Sequence, residues 1–318
     1  MKVMMIGCGR WGSLIAWYLS TLSHEVTLYG RESSANMQRF LRERKNDLLT
    51  LPPSVTLTTE LAAAKDAEVI LISVPAQSLR GLLRELAAFS LRDKTFVLCM
   101  KGIEVETGMR LSEVTAAEVD RSNHIAVWLG PGHVQDFYAG IPNCMVIDSS
   151  EDAVKCRLID AFSGKLIRFY YGDDMIGNEI GAAAKNVIGI AAGVLDGLGL
   201  STLKGALMSR GTREVARLIA AMGGNERSAY GLCHLGDYEA TLFSPYSHNR
   251  AYGESLITGA PMTKLAEGHP TAAALHRLAA ENGVEMPIVA AVYSILYEGA
   301  EPKAAVARLF ERRQGQEF

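Results

Sequence analysis

The sequence predicts an α/β protein, an N-terminal doubly wound parallel sheet followed by an all-α C-terminal domain. Three observations predict it. Up to about residue 170, short β-branched apolar runs alternate with stretches of helical period, the pattern of repeated βα units. A glycine cluster, Gly7-Cys8-Gly9-Arg10-Trp11-Gly12, stands between the first run and the first helical stretch. Beyond the Tyr-Tyr-Gly-Asp-Asp turn at 170–174, strand-like runs cease and alanine- and leucine-rich segments of helical spacing take over. Domains at 1–172 and 173–318 follow from that change.

Lys2 to Ile6 opens the series as a strand. Glycines follow it at once, without the long apolar segment and small-residue cleavage site of a secretory signal. A helix is expected over Trp11 to Leu22, a strand over Glu25 to Tyr29 and a charged helix over Met37 to Arg44. Val69 to Val74 is nearly unbroken in its apolarity, as befits a central strand covered on both faces. Further strands are expected at Thr95 to Cys99, Ile125 to Leu129, Cys144 to Ile147 and Leu166 to Phe169. The segment from Met175 to about Asp196 is apolar almost all round and rich in glycine and alanine. Such a helix has to be buried, and its small side chains let neighbouring backbones approach.

The 318 residues carry Lys+Arg 32 against Asp+Glu 35, a formal charge of −3. No global cationic field would draw the chain to nucleic acid or an anionic membrane. With 48% hydrophobic and 21% charged residues there is apolar material for the cores of two domains. Gly and charged residues break every apolar run short of the roughly 18–20 residues needed to cross a bilayer. The five cysteines are scattered, with no C-x-x-C pair and no zinc-ligand spacing, as in a reducing compartment. These features predict a cytoplasmic protein with free thiols, no structural metal, and no nucleic-acid or membrane partner. The small-residue helix and apolar C-terminal half suit a homo-oligomer, most simply a homodimer.

The glycine cluster fits G-x-G-x-x-G between a strand and a helix, which gives an otherwise weak motif its force. Gly7 permits the tight turn, Gly9 lets the backbone approach a pyrophosphate, and Gly12 allows close packing of a helix whose N-terminus attracts anions. This is a Rossmann-type dinucleotide site. After the second strand the chain reads Tyr29-Gly30-Arg31-Glu32. A guanidinium there suits the 2′-phosphate of NADP, whereas Glu32, one residue late, would serve NAD. NADP is favoured, with NAD or dual use as the alternative.

Met100-Lys101-Gly102 and Gly130-Pro131-Gly132 each follow an expected strand. In doubly wound sheets ligands bind beyond the carboxyl ends of strands, so both should face the nicotinamide end of the crevice. Lys185 carries the strongest individual signal: with Asn186, it interrupts an otherwise apolar helix. Burying the amine there is costly without partners and a task, and desolvation would lower its pKa toward that of a proton donor for a carbonyl/alcohol pair. A carboxylate such as Asp237 would oppose that shift and fix the amine.

These pieces in this order resemble the bacterial NAD(P)-dependent glycerol-3-phosphate dehydrogenase family over essentially the whole chain. The likeness runs from the glycine turn through Lys101-Gly102, Gly130-Pro131, Gly181 to Ile188, Asp196-Gly197-Leu198-Gly199 and Leu235-Gly236-Asp237 to Asn249-Arg250. It implies that Lys185 is the catalytic acid/base, Lys101 a second amine near the reacting oxygen, and Asp237 the group holding Lys185, with Asn186 in support. It also implies cofactor contacts from Arg10, Trp11, Arg31, Lys101, Val134, His248, Leu265 and Glu267. Substrate contacts are implied for Lys101, Gly130, Gly132, Lys185, Asp237, Thr241, Ser247, His248, Asn249 and Arg250. The implied substrate pair is dihydroxyacetone phosphate and sn-glycerol 3-phosphate, a step toward phospholipid precursors.

The departures gather at the substrate end. Ser247-His248-Asn249-Arg250 stands where the family usually reads Ser-Arg-Asn-Arg, so a histidine replaces an arginine that clamps a phosphate or cofactor. Arg250 reaching inward, or a protonated His248, would be the substitutes. Gly130-Pro131-Gly132-His133-Val134 replaces a turn with a hydroxyl at position 132. Cys99-Met100 and Leu242-Phe243 also differ from the family's Ala-Thr and Cys-Thr. Of the seven histidines, only His133 and His248 fall in expected site loops. Two further readings stay open at this point: a diverged dehydrogenase for another small hydroxy or keto compound, and a nucleotide-binding module without turnover.

Overall fold

The structure, a computed structural model, describes residues 1–262 and 266–313. Among them the sheet is built from β1 (Lys2–Ile6), β2 (Glu25–Tyr29), β3 (Thr56–Thr58), β4 (Val69–Ile72), β5 (Thr95–Leu98), β6 (His124–Leu129), β7 (Asn143–Asp148) and β8 (Ile167–Tyr171). Its strand order is β3-β2-β1-β4-β5-β6-β7-β8. Interleaved are helices α1 (Arg10–Thr21), α2 (Ala35–Glu43), α3 (Leu79–Ala87), α4 (Leu111–Glu118), α5 (Val134–Tyr138) and α6 (Asp152–Phe162). Successive residues of β1 feed opposite cores: Val3 and Met5 pack with α1, α2 and α6, whereas Met4 and Ile6 pack with α3 and α4. That period-two partition between two apolar faces is what a doubly covered sheet requires.

The chain leaves β1 toward β2 and β3 on one side and resumes at β4 on the other, so a crevice opens beyond the ends of β1 and β4. Gly7 stands at that reversal with φ +112°, and a Cβ there would lie 2.2 Å from the Ser73 carbonyl oxygen. Only glycine fits, because the backbone is left-handed and β4's continuation crosses directly over it.

Two features depart from the sequence reading. β3 is a three-residue edge strand, Thr-Leu-Thr, with no apolar run to announce it. The sheet is also not wholly parallel, since β7 runs antiparallel to β6. The link between them holds only the five-residue α5, which stays at the carboxyl edge of the sheet instead of crossing a face, so the chain comes straight back. Trp11 of α1 packs on Phe137 of α5 with ring centroids 5.8 Å apart, so this return builds one wall of the crevice.

The helical part comprises α7 (Met175–Gly197), α8 (Lys204–Ala221), α9 (His248–Thr258), α10 (Gly268–Glu281), α11 (Pro287–Tyr297) and α12 (Pro302–Phe310). Asp174 caps α7 by accepting from Gly177 N at 3.0 Å, and α7 then runs buried from Gly177 to Leu195. By length and composition α7 would also span a membrane, which counting uninterrupted apolar runs does not detect. Inside the protein 83% of its most apolar window is buried. Two reciprocal glycine contacts fix α9 on α7: a Cβ at Gly193 would lie 1.9 Å from the Arg250 carbonyl oxygen, and one at Gly253 2.0 Å from that of Ile190. This close crossing sets the start of α9 beside the Lys185 to Asn186 turn of α7.

Candidate active site

Lys101 follows β5, Gly130 follows β6, and both lie at the carboxyl edge of the sheet. Lys185 comes from the middle of α7, and Asp237 from a single helical turn, Leu235–Asp237. The four meet. Asp237 Oδ2 accepts from Lys185 Nζ at 2.5 Å and from Lys101 Nζ at 2.6 Å, while Lys101 also donates to the Gly130 carbonyl oxygen at 2.8 Å. Asp237 is 1% exposed and Lys185 8%. Burial pushes the Lys185 amine down to about 7; Asp237 opposes the shift and the neighbouring Lys101 adds to it.

Thr241 completes the amine's surroundings. It lies in the wide helical turn Glu239–Phe243, accepts from Lys185 Nζ at 2.9 Å and donates its own proton to the Asp237 carbonyl oxygen at 2.7 Å. An ammonium has three donors. Asp237 and Thr241 take two from Lys185, which leaves the third for a substrate oxygen.

Asn186, next along α7, accepts from Asn249 Nδ2 at 3.0 Å, and Asn249 Oδ1 accepts from Gly268 N at 2.9 Å. The chain of amides ties α7, α9 and α10 together beside the amine. Ser247 caps α9, its hydroxyl accepting from Arg250 N at 3.3 Å. His248, the first residue of α9, meets Arg10 of α1 across the crevice, Nε2 to guanidinium 2.7 Å. Sequence reasoning placed both residues in the site and missed their contact, as it missed Gln135, whose Oε1 accepts from the same guanidinium at 3.3 Å.

Arg250 does not join this group. Its guanidinium is held by Asp196 at 2.7 Å and Glu254 at 3.2 Å. Asp196 lies eleven residues beyond Lys185 on α7, about 16 Å along a helix axis, so the inward reach expected of Arg250 is not taken up. His133 rests on Tyr246, and its Nε2 is buried without a hydrogen-bond partner. His234 lies fully buried behind Asp237, with Nδ1 2.8 Å from the Gly181 carbonyl oxygen and Nε2 2.7 Å from the Tyr238 hydroxyl. Burial holds it down at about 4, a neutral strut for the Asp237 turn.

The crevice beyond β1 and β4 suits a dinucleotide. A Cβ at Gly9 would meet nothing within 4 Å, and Gly9 caps α1 without a side-chain hydrogen bond. Open space over bare first-turn N–H groups is what a pyrophosphate needs. Gly12 is closed instead, with a Cβ position 2.0 Å from the Gly7 carbonyl oxygen. Arg31 is exposed at the end of β2, 3.7 Å from Glu85. Glu267 Oε1 accepts from Ala76 N, beyond β4, at 3.4 Å, a second tie between sheet and helices. Val134 starts α5 and is buried. Gly132 has φ +132° and would place a Cβ 2.3 Å from the Phe137 ring, so the missing hydroxyl cannot be restored without moving the crevice wall. Leu265, also expected at the cofactor, lies outside the described residues. Among the described residues no group of three or more His, Cys, Asp or Glu side chains is placed to hold a metal.

Sequence models of the NAD-dependent glycerol-3-phosphate dehydrogenase N-terminus and C-terminus match residues 2–155 and 174–307. A relative from Bradyrhizobium sp. (strain ORS 278), glycerol-3-phosphate dehydrogenase [NAD(P)+], is 39% identical over 98% of this chain and 96% of its own. One of the same name from Exiguobacterium sp. is 35% identical over 100% and 97%. The crystal structure of glycerol-3-phosphate dehydrogenase from Coxiella burnetii superposes with a TM-score of 0.91 at 29% identity, covering 98% of this chain and 99% of that one.

Proposed function

The chain belongs to the NAD-dependent glycerol-3-phosphate dehydrogenase family, an NAD(P)-dependent oxidoreductase interconverting dihydroxyacetone phosphate and sn-glycerol 3-phosphate, and we propose that Lys185 carries the proton of that reaction. The observation that carries this reading is the single oxygen of Asp237 shared by Lys101, from the sheet, and Lys185, from α7. When bound, the nicotinamide supplies or accepts the hydride. The residues of the chain do the rest.

In the direction of reduction the ketone oxygen takes a hydrogen bond from the third donor of Lys185. As hydride reaches the carbonyl carbon, charge develops on that oxygen, and the two amines stabilise it where water is excluded. Lys185 then passes its proton to the oxygen and is left as the neutral amine. In oxidation the same nitrogen takes the proton back. Asp237 keeps the amine in register and offsets part of its desolvation. Residues 1–172 are assigned to the dinucleotide and 173–318 to substrate and catalysis. Asn186, Ser247 and Asn249 line the substrate end, with the phosphate near the start of α9, where a helix N-terminus favours an anion. Gly7, Gly9, Gly12 and Trp11 flank the cofactor, Arg31 faces its ribose, and NADP is the preferred form.

We place the enzyme in the cytoplasm, supplying phospholipid precursors, and as a homodimer. The experiment is a panel of phosphorylated and unphosphorylated ketones assayed with NADPH and NADH side by side. Turnover of dihydroxyacetone phosphate well above its unphosphorylated counterpart is the expected result. Preference for another ketone would transfer the mechanism to a different substrate, and cofactor binding without any turnover would leave only a nucleotide-binding module.

A further inference from the structure

We infer that Arg10, inside the glycine turn, is the residue that grips the substrate's phosphate, doing from the dinucleotide-binding side what His248 cannot do from α9. The inference rests on the proposed function and deepens it. Arg10 is the first residue of α1, and its guanidinium spans the crevice to the first residue of α9, 2.7 Å from His248 Nε2. A guanidinium only donates and stays protonated in proteins. In this contact the histidine therefore accepts at Nε2, and the charge at the head of α9 is carried by Arg10.

Geometry explains why the charge belongs to this place. His248 sits where the resembling family has an arginine, and an imidazole is shorter than a guanidinium-bearing chain by about the span of one hydrogen bond. The Arg10 guanidinium lies one hydrogen bond beyond the imidazole, so a cationic fork stands near where a longer side chain at 248 would have put one. The surroundings fit a phosphate. Ser247 and Asn249 flank His248, and Asn249 is joined through Asn186 to the turn that carries Lys185. A guanidinium has five donors. His248 and Gln135 take one each, which holds the fork in place and leaves the others for phosphate oxygens. Arg10 is also half-buried, and burial moves its pKa down from the ordinary arginine value, so it is a partly desolvated cation waiting for an anion. The opposing assignment is a contact of Arg10 with the cofactor alone.

The test compares wild type, Arg10→Ala, Arg10→Lys and the double variant Arg10→Ala/His248→Arg. Three readouts are taken: steady-state kinetics, calorimetric binding of sn-glycerol 3-phosphate in the presence of cofactor, and direct binding of NADPH and NADH. Loss of a charge-assisted phosphate contact should raise KM for dihydroxyacetone phosphate and weaken glycerol 3-phosphate about 10- to 100-fold. Binding of NADPH and NADH should fall by clearly less than binding of glycerol 3-phosphate, because the grip on the substrate's phosphate is the larger part of what Arg10 supplies. Arg10→Lys should recover part of the loss, because a point charge replaces a fork. His248→Arg in the Arg10→Ala background should recover more, which a purely structural role for Arg10 would not produce. Unchanged glycerol 3-phosphate binding in Arg10→Ala, or a loss confined to NADPH and NADH, would overturn the inference while the proposed function stood. A wild-type protein inert toward dihydroxyacetone phosphate with either cofactor would instead remove the proposed function, and this inference with it.

Discussion

Lys185 Nζ lies 2.5 Å from Asp237 Oδ2 in the interior of the protein, and burial nevertheless holds the amine down at about 7. The carboxylate alone would raise that value. Desolvation outweighs it, and the second amine of Lys101 pushes in the same direction as desolvation. An ammonium poised near neutrality can give a proton in one direction of the reaction and accept it in the other.

The pH dependence has a definite sign. Reduction needs protonated Lys185, so kcat/KM for dihydroxyacetone phosphate should be level below pH about 7 and fall as pH rises through that value. The oxidation of glycerol 3-phosphate needs the neutral amine and should show the opposite limb. Asp237→Asn removes the largest influence raising the Lys185 pKa, so both limbs should move to lower pH. Because the amines are coupled, the profile reports the cluster as a unit. Initial-rate profiles in both directions check this.

The glycines of the turn separate folding from binding. Gly9→Ala meets open space and should leave the melting temperature unchanged while weakening NADPH. Gly12→Ala puts a methyl 2.0 Å from the Gly7 carbonyl oxygen and should cost about 1–3 kcal/mol of stability. Thermal melts with and without cofactor distinguish the two.

Arg31 is expected to distinguish the cofactors. It is exposed and only loosely engaged with Glu85 at 3.7 Å, so its guanidinium is available to a ribose 2′-phosphate. Arg31→Ala should raise KM for NADPH about 10- to 100-fold and leave NADH nearly unaffected. Parallel titrations of the two cofactors would show it.

Away from the crevice, Glu214 is buried against the start of α11, accepting from Ile288 N at 2.7 Å and Val289 N at 3.3 Å. Burial pushes its carboxyl up to about 7. A raised pKa means that the native state binds more protons than the unfolded chain between pH about 4.5 and 7. Its contribution is therefore full below that window and lost as pH rises through it. Glu214→Gln should flatten this part of the stability profile, as read from chemical denaturation at several pH values.

Much of this architecture was legible in the chain. Strands such as Lys2–Ile6 and Glu25–Tyr29 are marked by apolar β-branched runs, and the turn between β1 and α1 by its glycines. Lys185 was legible because an amine within an apolar helix is costly to bury unless partners and a chemical task hold it there. The rest depends on relations that periodicity does not encode. Thr56–Thr58 becomes a strand only because β2 offers an open edge. β7 reverses because α5 is too short to cross the sheet. Arg10 and His248 are 238 residues apart and meet only through the packing of α9 on α7. Arg250, two residues after His248, turns to Asp196 because two steps along α9 carry it to another face of the helix.

The mechanism stands on Lys185 moving the proton rather than binding the cofactor. Stopped-flow oxidation of NADPH by dihydroxyacetone phosphate, paired with equilibrium binding of NADPH, separates these roles in wild type and Lys185→Met. The variant should lose about 10²- to 10⁴-fold in the transfer rate while its affinity for NADPH stays within about twofold. A variant that oxidises NADPH at the wild-type rate would refute the proton-transfer role of Lys185.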